Sequence, residues 1–240
     1  MRADCEPLAW QAVFVRNPTL LLAALLVVVL VGCSGIDAPS DDQAPAERLA
    51  EAKQSFDEAD YVGFTLATEE LPSGLEGLLS AEGVGTHAPA FKGEVEVQTA
   101  LDIIAPLIAV DGDVYAQLPF AGWSELDPAA YGAPDPAELM DKQSGISSLF
   151  TATRGLSDGE SERSGEKVLT SIEGTLPGEA VKQVFPSSGT DDFAVTYTLT
   201  GENALDKITV SGPFYAGFAD VTYTIDLNLD AESVEIEAPI

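Results

Sequence analysis

Cysteine, histidine and basic side chains are all scarce in this chain of 240 residues: two cysteines, one histidine, and 11 lysines and arginines against 40 acidic residues, a net charge of −29. Binding to nucleic acid needs a basic surface facing phosphate, so the charge balance excludes it as a partner. His87 has no second histidine with which to share a transition metal, and between Gly85 and Pro89 it reads as a turn or surface residue. The pairs Asp111/Asp113 and Asp191/Asp192 lack the glycine and distal glutamate of a calcium loop and read as turn residues. Gly155-Leu156-Ser157-Asp158-Gly159 fits the pattern G-x-S-x-G. Such a serine needs a later histidine and a following helix, however, whereas His87 lies upstream and Ser157-Asp158-Gly159-Glu160 reads as a turn between strands. No catalytic residue, metal or cofactor is therefore expected, and no enzyme. Long apolar runs are missing too. The run 20–31 has 12 residues, and a spanning helix needs about 20.

That short run follows Arg2 and Arg16, closes on Leu30-Val31-Gly32-Cys33 and gives way to Ser34-Gly35, the anatomy of a signal peptide over 1–32. An uncleaved signal anchor is the alternative, and it would need a longer run. Asp4, Glu6, Trp10 and Val13 are unusual in the segment before such a run, and a start nearer Val15 would remove them. The four residues ending at Cys33 resemble a bacterial lipobox. The resemblance implies a Cys33 thioether to diacylglycerol and cleavage before Cys33, and two acyl chains suffice for stable anchoring where one does not. With Cys5 in the leader and Cys33 acylated, no thiol is left for a disulfide. Residues 34–42 are small and polar, a flexible tether to one domain over 43–240. Arg2 and Arg16 offset Asp4 and Glu6, so loss of the leader leaves the charge at −29. That charge repels anionic headgroups, which leaves the acyl anchor as the membrane attachment. A solvated surface and a salt-rich habitat account for the acidity equally well.

Along the domain, Ala46, Leu49, Ala52/Lys53 and Phe56 recur at helical spacing, predicting a helix over 44–59 with Asp41 or Asp42 as N-cap. The period then falls to two. Val62, Phe64 and Leu66 alternate with small or polar residues, as do Val95 and Val97 with Glu94, Glu96 and Gln98. Between them, 69–89 is Gly-rich and without clear period, a long excursion or a short helix around 75–79. Residues 102–110 are almost continuously apolar, and Asp111-Gly112 before Val114, Ala116 and Leu118 signals a hairpin. Three prolines break regularity over 127–136, and short helical pieces follow at 135–140, 144–150 and 178–185. Strands are predicted around 168–172, 193–199, 208–210 and 221–227. About eight antiparallel strands with one wet face, and few helices to cover them, predict an α+β fold: a strongly curved antiparallel sheet, a half-barrel, wrapped around several helices and enclosing an apolar cavity.

Ile108-Ala-Val-Asp-Gly-Asp-Val-Tyr-Ala-Gln-Leu-Pro119, Gly122-Trp123, Asp135-Pro-Ala-Glu-Leu139, Gly145-Ile-Ser-Ser-Leu-Phe150, Ile172-Glu-Gly-Thr-Leu176 and the strand at 194–200 occur in an order and spacing that resemble the LppX/LprA/LprF/LprG lipoproteins of actinobacteria. The resemblance, similar in turn to periplasmic lipoprotein carriers, implies a half-barrel whose cavity takes acylated lipids or glycolipids across the periplasm. It also implies a chain held on the outer face of the plasma membrane, with a lipid exporter of that membrane as a further partner. By periodicity alone, the inward apolar residues, Phe193 included, are ordinary core. The resemblance instead makes Phe64, Leu66, Val95, Val97, Ile103, Leu107, Ile146, Leu149, Phe150, Val195, Tyr197, Tyr223 and Ile225 the lining of a lipid cavity. The alternative keeps the core solid and makes the chain an envelope docking module, with 127–136 as its contact surface.

Overall fold

The computed structural model describes residues 43–99, 102–118, 120–131, 133–165 and 167–240; Cys33, the leader and the tether lie outside them. The first element is α1 (Pro45–Glu58). Its N-cap is Ala44, without a side-chain cap, and Pro45 supplies the pre-set φ of a first helical position in place of the expected aspartate. Arg48, Leu49, Ala52 and Phe56 form its buried stripe, with Arg48 in the place expected of Ala46, which is exposed. Leu49 and Phe56 alone contribute about 1.5–3 kcal/mol each by leaving water.

Two meanders follow. The first runs β1 (Val62–Ala67), β2 (Gly77–Thr86), β3 (Ala90–Gln98), β4 (Ile103–Val110), β5 (Asp113–Leu118) and β6 (Gly122–Leu126). The second runs β7 (Arg154–Ser164), β8 (Lys167–Leu176), β9 (Phe193–Leu199), β10 (Leu205–Gly212) and β11 (Val221–Asn228), with α3 (Gly178–Val184) between β8 and β9. Pairing of β1 with β11 joins them into one antiparallel sheet of 11 strands, ordered β6-β5-β4-β3-β2-β1-β11-β10-β9-β8-β7. The edges are β6 and β7, so the sheet is open. The chain passes from one edge to the other through 3₁₀ turns at Pro128–Tyr131 and Glu138–Met140 and through α2 (Ile146–Ala152).

Among the strands, the structure corrects the sequence reading in three places. Residues 69–89 hold no helix at 75–79; they hold β2, a full strand paired on both sides. Ser157-Asp158-Gly159-Glu160 is no turn but part of the edge strand β7, whose register shifts twice against β8. β6, where the residue pattern predicts no strand, pairs with β5 along its whole length. The Asp111-Gly112 hairpin is as expected: φ is 58° and 88° at its two residues, the left-handed pair of a two-residue turn.

Opposed residues of paired strands share a face, so the ladders sort the side chains. Phe64, Gly83, Gly93, Leu107 and Ala116 form one row across β1 to β5, and Leu66, Ala81, Val95 and Ala105 form the next. This is the inner face, the one on which the helices lie. Among the described residues, α1 packs on α2, β7 and β10, so the helical layer is centred on the second meander.

Candidate functional site

Under the helices the inner face is a filled core. Leu66, Ile146, Leu149, Phe150, Val195, Tyr197, Tyr223 and Ile225, all expected to line a cavity, are buried in one cluster with Phe56, Ile172 and Phe193. Phe150 stacks on Tyr197 with ring centres 5.1 Å apart. The Tyr197 hydroxyl donates to Thr153 Oγ1 at 2.7 Å, and Thr153 Oγ1 donates to the Leu149 carbonyl. Tyr223 donates to the Leu78 carbonyl at 2.6 Å and accepts from Tyr215, whose oxygen in turn accepts the Leu78 N–H at 3.0 Å. Burial pushes the phenols of Tyr197 and Tyr223 far above their ordinary range, and for Tyr223 the neighbouring Tyr215 adds to the shift. Both hydroxyls are thus neutral, satisfied pins within the packing.

The first meander is different. Leu107 is buried in a smaller cluster with Phe91, Ala109, Val114 and Ala137, and Phe64 and Val95 are half-buried where the two clusters meet. Phe64 stacks on Phe91 at 5.3 Å. The Phe91 ring lies over the Gly83–Gly93 pair, where a Cβ on either glycine would come within 2.7 Å of it. Val97 and Ile103 oppose each other at the end of β3 and β4, Val97 half-buried and Ile103 exposed. The expected lining set therefore divides into nine buried residues and a half-open apolar strip of Phe64, Val95, Val97 and Ile103.

A cleft of about 550 Å³ opens beside the smaller cluster. Val114, Leu126, Leu139 and Val184 give it apolar walls, Pro128 and Pro134 bring the proline-rich segment into it, and Asp113, Glu125, Asp127 and Glu138 rim it. A second space of about 200 Å³ lies among Thr65, Ser80, Glu82, Glu94 and Glu96. By register these residues, with Ile104, point to the outer face. Neither space is walled by the helix residues Ile146, Leu149 and Phe150.

Three anchors were not legible in the sequence. Buried Arg48 donates to Asp158 Oδ1 at 2.9 Å, to Asn203 Oδ1 at 3.3 Å and to Thr170 Oγ1, tying α1 to β7, β8 and the β9–β10 turn. Asn203, at φ 57°, donates to Gln43 Oε1 and Glu51 Oε2, and its bond, with that of Gln43, holds the Glu51 carboxyl below its usual range. His87, in the β2–β3 turn, sets its ring nitrogens 2.6 and 2.7 Å from the carbonyls of Met140 and Phe56. The latter belongs to the last turn of α1, where no helical N–H reaches it. The ring also meets Phe56 edge-on at 5.3 Å. Ser157 is exposed on β7, and His87 is engaged on α1 and the Glu138–Met140 turn. Among the described residues no His, Cys, Asp or Glu group is arranged to hold a metal, and no helix is long and apolar enough to cross a membrane.

Known proteins bear on this arrangement in two ways. By sequence, the chain is similar to the "Lipoarabinomannan carrier protein LprG" of Mycobacterium tuberculosis, 25% identical over 175 residues that cover 71% of this chain and 73% of that protein. The protein of the same name from Mycolicibacterium hassiacum is 27% identical over 188 residues, covering 72% and 78%. By structure, it is similar to LprF from Mycobacterium bovis (TM-score 0.66, 13% identity, covering 81% of this chain and 96% of that one). It is also similar to LppX from Mycobacterium tuberculosis (TM-score 0.59, 18% identity, covering 82% and 100%), so the open antiparallel sheet with its three helices is an LppX/LprF-like fold. The sequence model of the LppX_LprAFG lipoproteins matches residues 44–234, from the start of α1 to beyond the last strand, and the chain belongs to that family.

Proposed function

We propose that the protein is a non-catalytic carrier of acylated lipids or glycolipids, and that the apolar strip of the first meander, Phe64, Val95, Val97 and Ile103 beside Leu107, is where acyl chains lie. The single observation that supports this most is the uneven cover of the sheet: the helices pack on the second meander, while this strip stays half-open at the junction of two apolar clusters. An acyl chain laid there is stabilised by about 0.8 kcal/mol for each CH₂ removed from water and needs no directed hydrogen bond. In the carrying state the sheet curls into the half-barrel of the first expectation, and Leu66, Ile146, Leu149, Phe150, Val195, Tyr197, Tyr223 and Ile225 become cavity wall as the helices lift. The carrier name of the LprG relatives supports the same reading.

In this reading Cys33 carries the acyl anchor, residues 34–42 are the tether, and the domain works on the outer face of the plasma membrane, with a lipid exporter as its loading partner. The filled core under the helices favours a second reading, a solid envelope module whose docking surface is the 550 Å³ cleft with its proline-rich wall. Transfer of a fluorescent diacyl lipid from donor to acceptor vesicles separates the two. A carrier accelerates transfer in proportion to protein concentration, and a docking module leaves the rate at that of the vesicles alone.

A further inference from the structure

Six large apolar side chains are exposed among the described residues: Ile103, Ile104, Leu118, Phe120, Phe218 and Ile240. All but Ile240 lie at one end of the sheet. The β3–β4 and β5–β6 connections are neighbours there, because β4 pairs with β5, and the β10–β11 connection with Phe218 ends on the same side. Exposure is 38% for Ile103, 55% for Ile104, 40% for Leu118 and complete for Phe120. Phe120 also holds φ 66°, a left-handed conformation that a bulky residue rarely adopts, in a turn closed by the Ala121 N–H on the Leu118 carbonyl. The fold thus maintains strain at the position where an aromatic ring is presented to solvent, a combination that points to function.

Charge singles out the same place. The stretches 99–104 and 118–123 carry one ionisable side chain, Asp102, in a chain with 40 acidic residues. The carboxylates resume just below, with Glu96 opposite Ile104 and Glu125 opposite Tyr115. Trp123, of the residue type that favours membrane–water boundaries, follows Phe120 by three positions. The four exposed side chains of the two tips present together only a few hundred Å², short of the roughly 800 Å² per partner of a stable protein interface. A bilayer asks for no shape complementarity, and a strongly acidic protein meets lipid most readily where its carboxylates are sparse.

We infer that the paired tips, Phe120 and Leu118 of one hairpin with Ile103 and Ile104 of the other, insert shallowly into the interfacial layer of a lipid bilayer, with Asp102, Glu96 and Glu125 held at the level of the headgroups. The insertion does not depend on the carrier reading, because the tips enter lipid whether or not the strip beneath holds cargo. The test uses the full chain with Trp10→Phe, so that Trp123 is the only indole, reconstituted into phosphatidylcholine vesicles with brominated acyl chains. Trp123 emission falls at least twofold on brominated lipid and is unaffected by salt. In Phe120→Asp the quenching disappears. In Phe120→Gly it falls as well, while the fold becomes more stable because glycine relieves the φ 66° strain, so misfolding does not explain the loss. The inference is overturned by unquenched Trp123, by quenching in both variants that equals the parent's, or by a concentration-dependent change in Trp123 emission without vesicles, which would make a second copy the occupant. Lipid carried by the chain is unchanged in either variant, so a failed carrier and a failed insertion give different results.

Discussion

Val95→Trp tests the apolar strip where the two apolar clusters meet. Val95 is half-buried, faces Ala81 on one side and Ala105 on the other, and touches both apolar clusters. Small neighbours leave an indole room to lie along the strip, in the space assigned to hydrocarbon. The added volume is roughly that of three methylenes, and at about 0.8 kcal/mol per excluded CH₂ the loss of lipid affinity is about 2.5 kcal/mol, close to a hundredfold. The same substitution in a closed, well-packed core costs about 1–3 kcal/mol of folding stability. The two readings thus assign the penalty to different measurements: urea unfolding of the lipid-free protein, and binding of a fluorescent acyl lipid. An unfolding free energy within about 0.5 kcal/mol of the parent together with a large loss of affinity is the expected result. A destabilised protein that binds lipid as before would refute the reasoning, since the site would then be filled by protein.

Further predictions concern the anchors around the strip. Arg48→Met keeps the apolar stem but leaves Asn203 and Thr170 without their donor, and is expected to cost about 2–3 kcal/mol in urea unfolding. That is below the 3–5 kcal/mol typical of a fully buried pair, because the Asp158 side chain is 64% exposed and regains water. The phenols of Tyr197 and Tyr223 have folded-state pKa values raised above the unfolded value near 10, so their contribution is complete below about pH 10 and is lost as pH rises beyond it. Unfolding at pH 8 and pH 11 should show a loss at the higher pH that is smaller in Tyr223→Phe, a variant about 1–2 kcal/mol less stable at pH 8. Gly85→Val places a Cβ 2.6 Å from Met140 Cγ; the thioether has to move, and the expected cost is about 1–3 kcal/mol by thermal unfolding.

How much of this was readable beforehand depends on where each residue's partners lie. β3 and the Asp111-Gly112 hairpin were clear because their alternation and turn chemistry are local properties of the chain. β2 was hidden because its apolar contacts are supplied by other segments: Tyr215 lies against Gly77, Phe91 over Gly83 and Met140 over Gly85, and a strand that receives large side chains carries glycine instead of displaying a period. β7 was hidden for the opposite reason. As an edge strand it is exposed along most of both faces, so its sequence is polar throughout and resembles a turn. The inward residues Tyr197, Val195 and Ile225 were identifiable as apolar and inward, but whether such residues surround a void or one another depends on how the crossover 127–153 seats α2, and no single segment encodes that. Arg48 does not read as an anchor because a long basic side chain on a helix ordinarily reaches solvent; its partners Asp158, Thr170 and Asn203 are 110 to 155 residues away in the chain.

The claim on which the account rests is that acyl chains occupy the sheet's inner face. Native mass spectrometry of the protein, purified without added lipid, tests it directly. The account predicts a population heavier than the lipid-free protein by the mass of one acylated lipid, lost on organic extraction and reduced in Val95→Trp. A single species at the mass of the lipid-free protein, unchanged by extraction, would contradict it.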